Sequence, residues 1–545
     1  MKKRVLAALL TTAVCAGALA GCGGKAGTEP KPQEQTPAED KVVAEPDADG
    51  KVNGVMYAEG LPLVDEGAYR FSVFADDSSA TGEFVMMPIL QEQTNVEVEL
   101  RLFPYETATE RLNLDLNSGD YADVIGGWTL DDSKILSYGV NQGVFIPLES
   151  YFEQYCPNIQ EILELPGVRE EMTAPDGHIY TIPYVVDDVT VGYSPYINTE
   201  WLENVGMEMP KTTDEFEAVL LAFKEQDANG NGDPADEIPF STDPNNKHIE
   251  AMAGWFGFPM DSRGVGILDG EVAYGGVSAQ YRELLSWLNG LYEQGLIDVE
   301  LYTQDTSTWE GKGNRDLYGV SIAYESTEFS GIPKEPERGP YDVLPVLNGE
   351  DGGRWLRDTN GLNVYRTQAV VTDKAEHPEI ICRWFDNTFE LENAIGTNRG
   401  PVGKIVEAKE DGYHAIDMTK LSEEEQEQYA WNNLWPQSLP HFLPIGFKYV
   451  EEQPLYDEKK AVEEAYGPYL TEEILPSFWV PLEGIDEYAD TSSAIKTYFE
   501  QQQAMFVTGE LDVDDDAAWQ SYVDGLYGLG LENWLTMQGV EKIGE

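Results

Sequence analysis

Apolar and polar positions recur along this chain with two periods, and the change from one to the other predicts its elements. Tyr69 to Ala75 reads as a strand, Phe84 to Gln93 as a helix and Val96 to Phe103 as a second strand, the alternation that begins a parallel α/β sheet. A helix is expected around Arg111 to Asn117, and NSGDYADVIGGW then supplies a helix stop, a turn and a short buried strand with Trp128 just past its end. Thr212 and Glu215 form a capping box ahead of Phe216, Val219, Leu220 and Phe223, which recur at helical spacing, and Ile238 to Phe240 read as the start of a strand. ELLSWLNGLY and IICRWFDNTF are amphipathic helices, so Trp287 and Trp384 read as packing residues, as does Trp201 at a helix start. Ligands of open α/β sheets sit beyond the carboxyl ends of strands, which makes Asp76, Asp77 and Ser78 candidates.

The two ends of this pattern differ from its middle. Lys2, Lys3 and Arg4 head an apolar run from Val5, with small residues before Cys22, the form of an export signal. The run is shorter than the ~20 residues of a membrane-spanning helix. Leu19, Ala20, Gly21 and Cys22 resemble the lipobox of bacterial lipoproteins, which implies removal of residues 1–21 and acylation of Cys22. Residues 22–54 are rich in Gly, Pro, Glu, Gln, Thr and Ala and read as a disordered tether to the membrane. The roughly 490 residues that remain exceed what one core supports and suit two lobes.

Composition narrows the function. The formal charge is −64, and loss of the three basic residues of the signal makes the mature chain more negative still. Nucleic acid is excluded, because its phosphates require a basic face, and polyanionic ligands are disfavoured at long range. Cys156 and Cys382 either pair or remain buried thiols. None of the five His forms an HExxH or HxH pattern, no GxSxG elbow is present, and 99 acids make any carboxylate pair uninformative, so no catalytic residue is assigned. A surface glycoside hydrolase is the alternative, and a ligand-sensing or adhesive surface lipoprotein a third.

Asp227 to Ile238, DANGNGDPADEI, carries the most specific chemistry. Asp227, Asn229 and Asn231 place oxygens at alternate positions, Gly232 is sixth, where the backbone turns sharply, and Asp236 and Glu237 close the run. That is the logic of an EF-hand calcium loop, with a backbone carbonyl near Asp233 as a further ligand, although Ile238 holds the twelfth place where the full pattern has Glu. A polar turn that binds nothing is the competing reading. With a helix before it and a strand after it, the loop reads as a structural calcium clamp rather than a sensor.

Several segments in order, LNSGDYADVI, GVFIPLESYFEQYCPNI, APDGHIYTIPY, the stretch from Tyr196 through the calcium loop, and the terminal IKTYFEQQQAMFVTGELDVDDDAAWQSYVDGLYGLGLENWLTMQ, resemble the family 1 extracellular solute-binding proteins of sugar ABC transporters. The similarity is to the large LipO-like lipoproteins, relatives of alginate-oligosaccharide-binding proteins, whose calcium loop also ends early in an Asp-Glu pair. This loop is one residue longer between Gly232 and Asp236. The resemblance implies an α/β, two-lobed periplasmic-binding-protein-like fold (type II), with a hinge and a ligand cleft. Residues 55–186 with about 363–405 are expected in lobe 1, 187–362 in lobe 2, and 406–545 as a helical region assigned to neither. Crossings are expected near Tyr184 to Val191, Asn363 to Val371 and Thr397 to Val402. The implied role is a monomeric, lipid-anchored binding protein on the outer face of the cytoplasmic membrane, delivering an oligosaccharide to ABC permease subunits.

Rings that pack on sugar faces belong on loops. Of 12 Trp, those in Gly-, Asn- or Pro-rich surroundings are Trp128, Trp255, Trp309, Trp355 and Trp435, and the first four are the candidate sugar-stacking residues. Asp358, Asn360 and Arg399 are candidate hydroxyl partners. A mostly neutral oligosaccharide is expected.

Overall fold

A computed structural model describes residues 44 and 46–544, apart from 77–82, 188–189, 234, 245–247, 331–338 and 451–453. The expected signal, Cys22, Asp77 and Ser78 lie outside the described residues. The chain lays down β1 (Tyr69–Asp76), β2 (Val96–Phe103) and β3 (Val124–Gly126), crosses on β4 (Tyr184–Asp187), and builds β5 (Ser194–Asn198), β6 (Ile238–Thr242), β7 (Tyr318–Ala323) and β8 (Tyr341–Val343). It returns on β9 (Leu362–Tyr365) and completes the first sheet with β10 (Ala369–Val371).

The first sheet has the order β10-β3-β1-β2, with β1 parallel to both β2 and β3 and β10 antiparallel to β3. Successive side chains on a strand point to opposite faces. Phe71, Val73 and Ala75 accordingly enter one apolar core with Val124 and Val371, while Phe74 enters another with Ile125 and Val370. With both faces covered, every residue of β1 except Arg70 is buried. The second sheet, β8-β5-β7-β6, pairs β7 parallel to β6 and antiparallel to β5. A separate core holds Tyr196, Phe240, Val320 and Ile322.

Helices follow the periodicity where it is long enough to read. α1 (Met86–Thr94) and α2 (Tyr105–Ser118) flank β2, and α3 (Thr213–Glu225) buries Phe216, Val219, Leu220 and Phe223. Thr212 caps α3 by accepting from the Glu215 N–H at 3.2 Å, while Glu215 accepts from the Lys211 N–H at 2.8 Å, one residue earlier than a full capping box. α4 (Ala279–Glu293) packs on the second core and α5 (Pro378–Thr388) on the first, with α6 (Leu391–Arg399) beside α5 and α1.

Two expectations need correction. The tether does not extend to residue 54, because Lys51–Val52 pairs with Met56–Tyr57 and buries Val52 and Met56 in the first core. Residues 397–402 are not a crossing either, since Leu434, Trp435 and Leu439 still pack in the first core. The chain passes over later, to α7 (Pro454–Tyr466), whose Val462 and Tyr466 join the second core. Val480 and Ile485 then return to the first lobe, and α8 (Ile485–Val507) carries the chain back through Ile495, Phe499 and Phe506. The C-terminal region thus serves both lobes. Cys156 and Cys382 are buried free thiols whose pKa values burial pushes up.

One buried acid gives the second lobe a pH dependence. Glu250 accepts from Gln503 Nε2 at 2.7 Å, and the same amide group donates to the Tyr281 hydroxyl at 3.0 Å. Burial raises the Glu250 carboxyl from its ordinary 4.5 to about 7. The folded chain therefore keeps a proton that the unfolded chain releases, and stability falls as pH rises across that interval. Glu250→Gln should stabilise the protein above pH 7 by up to about 3 kcal/mol and flatten its pH profile, read by denaturant melts at acid and mildly alkaline pH. Parallel profiles for variant and parent would show that the carboxyl titrates normally.

Candidate functional site

The strands dictate where the two lobes meet. β1, β2 and β3 end at one edge of their sheet, where β10 begins, and β6 and β7 end at the edge where β5 begins. β4 and β9 join these edges as an antiparallel ribbon, with Tyr184 opposite Tyr365 and Asp187 opposite Leu362. The carboxyl edges of both sheets therefore adjoin the crossing, the place where open α/β sheets bind ligands.

On the first wall, Asp76 ends β1 and accepts from the Thr129 N–H at 2.8 Å, while burial raises its pKa. Gly127, at φ +128°, lets the loop pass over this carboxylate, since a Cβ there would lie 2.5 Å from Asp76 Cγ. The loop presents Trp128, 48% exposed, with its ring edge-on to Tyr365 at 5.4 Å. Tyr365 stacks on Tyr184 at 5.0 Å, and Tyr184 meets His441 Nε2 at 3.0 Å. His441 Nδ1 lies 3.1 Å from the Leu439 carbonyl, which only accepts, so Nδ1 carries the proton and Nε2 receives the Tyr184 hydroxyl. Burial lowers the His441 pKa to about 4, which keeps the ring neutral.

The second wall is also aromatic. Tyr193, just before β5, stacks on His248 at 3.9 Å and meets Tyr324, just after β7, edge-on at 5.8 Å. Asp243 and Glu325 follow β6 and β7, and Asp358 Oδ2 accepts from the Gly192 N–H at 2.7 Å. Tyrosine hydroxyls and carboxylates beside flat rings are groups that hold polyhydroxylated ligands.

Of the predicted binding residues, Asp76 and Trp128 lie together on the first wall and Asp358 lies beside the second. Trp255, Trp309 and Trp355 do neither, being 1%, 2% and 2% exposed in the second core. Trp255 packs on Trp287 and Trp355, Trp309 Nε1 donates to Ser321 Oγ, and Trp355 packs edge-on to Tyr466. They lie in elements too short to show a period: a 3-10 turn (Glu250–Phe256), a short helix (Thr306–Gly313) and a three-residue strand (Trp355–Arg357). Trp435 is likewise core, stacked on Trp384 at 5.8 Å. Asn360 is exposed in the turn before β9, and Arg399 lies 5.8 Å from the Tyr449 ring. Tyr184, Tyr193, Tyr324, Tyr365 and His441 carry no local signal of a site, although Tyr184 and Tyr193 bracket the first expected crossing.

Residues 75–389 match the model of the bacterial extracellular solute-binding protein family. The chain belongs to this family. This solute-binding protein is 29% identical over 516 residues to the fructooligosaccharide ABC transporter substrate-binding protein FusA of Streptococcus pneumoniae, covering 90% of this chain and 92% of the relative. It is 24% identical over 440 residues to lipoprotein LipO of Bacillus subtilis, covering 78% and 82%. The solved S. pneumoniae FusA EF-hand mutant in complex with fructo-nystose superposes with a TM-score of 0.75 at 26% identity, covering 86% of this chain and 98% of that one. The hydrolase reading is set aside: the solute-binding protein is a binder, not an enzyme.

The loop between α3 and β6 folds around its own oxygens. Gly232, at φ +92°, donates its N–H to both Asp227 oxygens at 3.2 and 3.0 Å, and Asn229 and Asn231 direct side-chain amides at Asp236 at 3.2 and 2.9 Å. Asp233 N–H donates to Asn231 Oδ1 at 2.8 Å, and Ala228 N–H to Glu237 Oε1 at 3.0 Å. Glu237 Oε2 is buried with no hydrogen bond, and burial raises the carboxyl's pKa. Among the described residues no group of three His, Cys, Asp or Glu side chains converges as a metal site, but this loop draws on amide and backbone oxygens as well. A hard cation fits a donor set of this kind, where it would take over the part the Asn amides play toward Asp236.

Burial separates the tryptophans by experiment. Trp255→Ala should lower stability by about 3–5 kcal/mol through the cavity it leaves, whereas Trp128→Ala should cost about 1 kcal/mol or less. Denaturant melts of the two variants measure this, and similar losses would place the Trp128 ring in the core.

Proposed function

We propose that this solute-binding protein captures a neutral oligosaccharide between its lobes and delivers it to an ABC permease. The observation that carries the reading is the placement of Trp128 and Tyr365, with the buried Tyr184 behind them, at the carboxyl edge of the first sheet, and of Tyr193 and Tyr324 at the carboxyl edge of the second. FusA, named for fructooligosaccharides, supports an oligosaccharide as the ligand class. Charge supports neutrality: Asp76 borders the first wall, Asp243, Glu325 and Asp358 border the second, and the whole chain is strongly acidic. At about 6 Å and an effective dielectric near 20, each uncompensated approach of two carboxylates costs on the order of 2–3 kcal/mol. Calorimetry with kestose, nystose, neutral gluco-oligosaccharides and uronate oligomers tests the reading. A neutral oligomer should bind at least about tenfold more tightly than any uronate oligomer, and tighter uronate binding would overturn it.

Calcium is the cation we assign to the 227–238 loop, held by Asp227, Asn229, Asn231, Asp236 and Glu237 with a carbonyl near Asp233. The isolated Glu237 oxygen and the EF-hand of FusA support this. Among the described residues no helix is long and apolar enough to cross a membrane. A diacylglycerol on Cys22 is the attachment we propose, since its two acyl chains anchor durably where a single chain would not. Protein extracted from cell membranes provides one preparation for both assignments. Intact mass should show residues 1–21 absent and lipid on Cys22, and a chelator should lower the melting temperature of the parent but not of Asp227→Ala. An unmodified Cys22 refutes the anchor, and a melting curve indifferent to chelator refutes the metal.

A further inference from the structure

α7 touches the candidate site from behind, and its polar side chains reach both segments that carry the second-wall tyrosines. Glu458 accepts from the Ser326 N–H at 2.9 Å and from its hydroxyl at 2.6 Å, and Glu463 accepts from the Thr190 N–H at 3.3 Å. Between them lies Lys459, 4% exposed. Its ammonium donates to the Gly192 carbonyl at 2.5 Å and to the Tyr324 carbonyl, and sits 3.6 Å from the centre of the Tyr324 ring.

These contacts fix two backbones against each other. Gly192 is held at its N–H by Asp358 and at its carbonyl by Lys459, and Tyr193 follows it directly. Tyr324 is held at its N–H by Glu328, at its carbonyl by Lys459 and the Tyr196 hydroxyl, and on its ring face by the same ammonium. A buried ammonium is costly unless its N–H groups find acceptors, and apolar residues of similar volume often serve stability equally well. What an apolar side chain here cannot do is tie Gly192 to Tyr324.

We propose that Lys459 is a positioning residue for ligand binding, holding Tyr193 and Tyr324 in the relative orientation that forms the second wall. Its effect on affinity rests on the oligosaccharide reading; its effect on the wall itself does not. Because α7 is the element reached by the chain's later crossing, the same contacts fasten that crossing to the one at β4.

Two measurements on the full mature chain separate these layers. Without sugar, Lys459→Met should speed hydrogen exchange at residues 191–193 and 324–326 while leaving the first lobe as in the parent. With kestose as probe, it should weaken binding about tenfold or more, and the loss should shrink to about twofold or less in a Tyr324→Ala background, because the residue acts through that ring. If Lys459→Met does not fold, Lys459→Arg serves, since a planar guanidinium keeps the charge but not a point contact with two carbonyls and a ring face. It should weaken kestose binding at a melting temperature close to the parent's. Unchanged exchange at both segments, or an equal loss of affinity in both backgrounds, overturns the proposal. A parent that ignores kestose overturns the fructo-oligosaccharide probe, and the exchange result then still decides the role of Lys459.

Discussion

Because Tyr184 lies opposite Tyr365 and Asp187 opposite Leu362, the strands that leave and re-enter the first lobe form one hydrogen-bonded ribbon. A two-stranded ribbon this short is strongly twisted and marginal alone, so its shape depends on what packs at its ends. At one end Ile182 N–H donates to the Ala369 carbonyl, tying the ribbon to the first sheet. At the other, Asp358 N–H donates to the Thr190 carbonyl, and its carboxylate receives the Gly192 N–H two residues before β5 of the second sheet. The lobes can turn about the ribbon only if these end contacts move with their own sheets.

The site is built from what that ribbon brings together. Tyr184 and Tyr365 are part of the ribbon, Trp128 leans on Tyr365, and Tyr193 follows β4 within a few residues. On the proposed reading, a ligand held by these rings would contact both lobes. Such contacts can favour the closed arrangement, because a ligand shifts a two-state equilibrium only by its difference in affinity for the two states. Selectivity among neutral sugars then falls to the polar groups beside the rings, since a buried donor or acceptor left unpaired costs about 1–3 kcal/mol.

The 227–238 loop and the candidate site share one strand. The loop's last residue is the first of β6, and β6 ends next to Asp243 at the second wall. β6 pairs with β7 along the line that ends at Tyr324. Steadying the loop therefore fixes where β6 starts, while the site stands at its far end. On the same sheet, β5 begins beside Tyr193.

Much of the fold was legible in residues 69–103 and 212–240, where long apolar periodicities, a helix cap and an oxygen-rich loop each have local causes. The oxygen spacing of the 227–238 loop and the two strand-like crossings were visible for the same reason: nearby residues specify them. The tryptophans were not. Trp255, Trp309 and Trp355 lie in polar, Gly-rich sequence, yet the second core encloses them, because burial of a short element depends on neighbours distant in the chain, such as Trp287 and Tyr466. The late crossing to α7 and the lysine it brings behind Tyr324 were hidden in the same way. The sequence by itself determined the family, through the segments that resemble it, and the first α/β alternation, since these rest on residues close together in the chain. Only the tertiary structure decided which aromatics stay accessible and which are enclosed, because exposure is set by packing across hundreds of residues and not by the residues on either side.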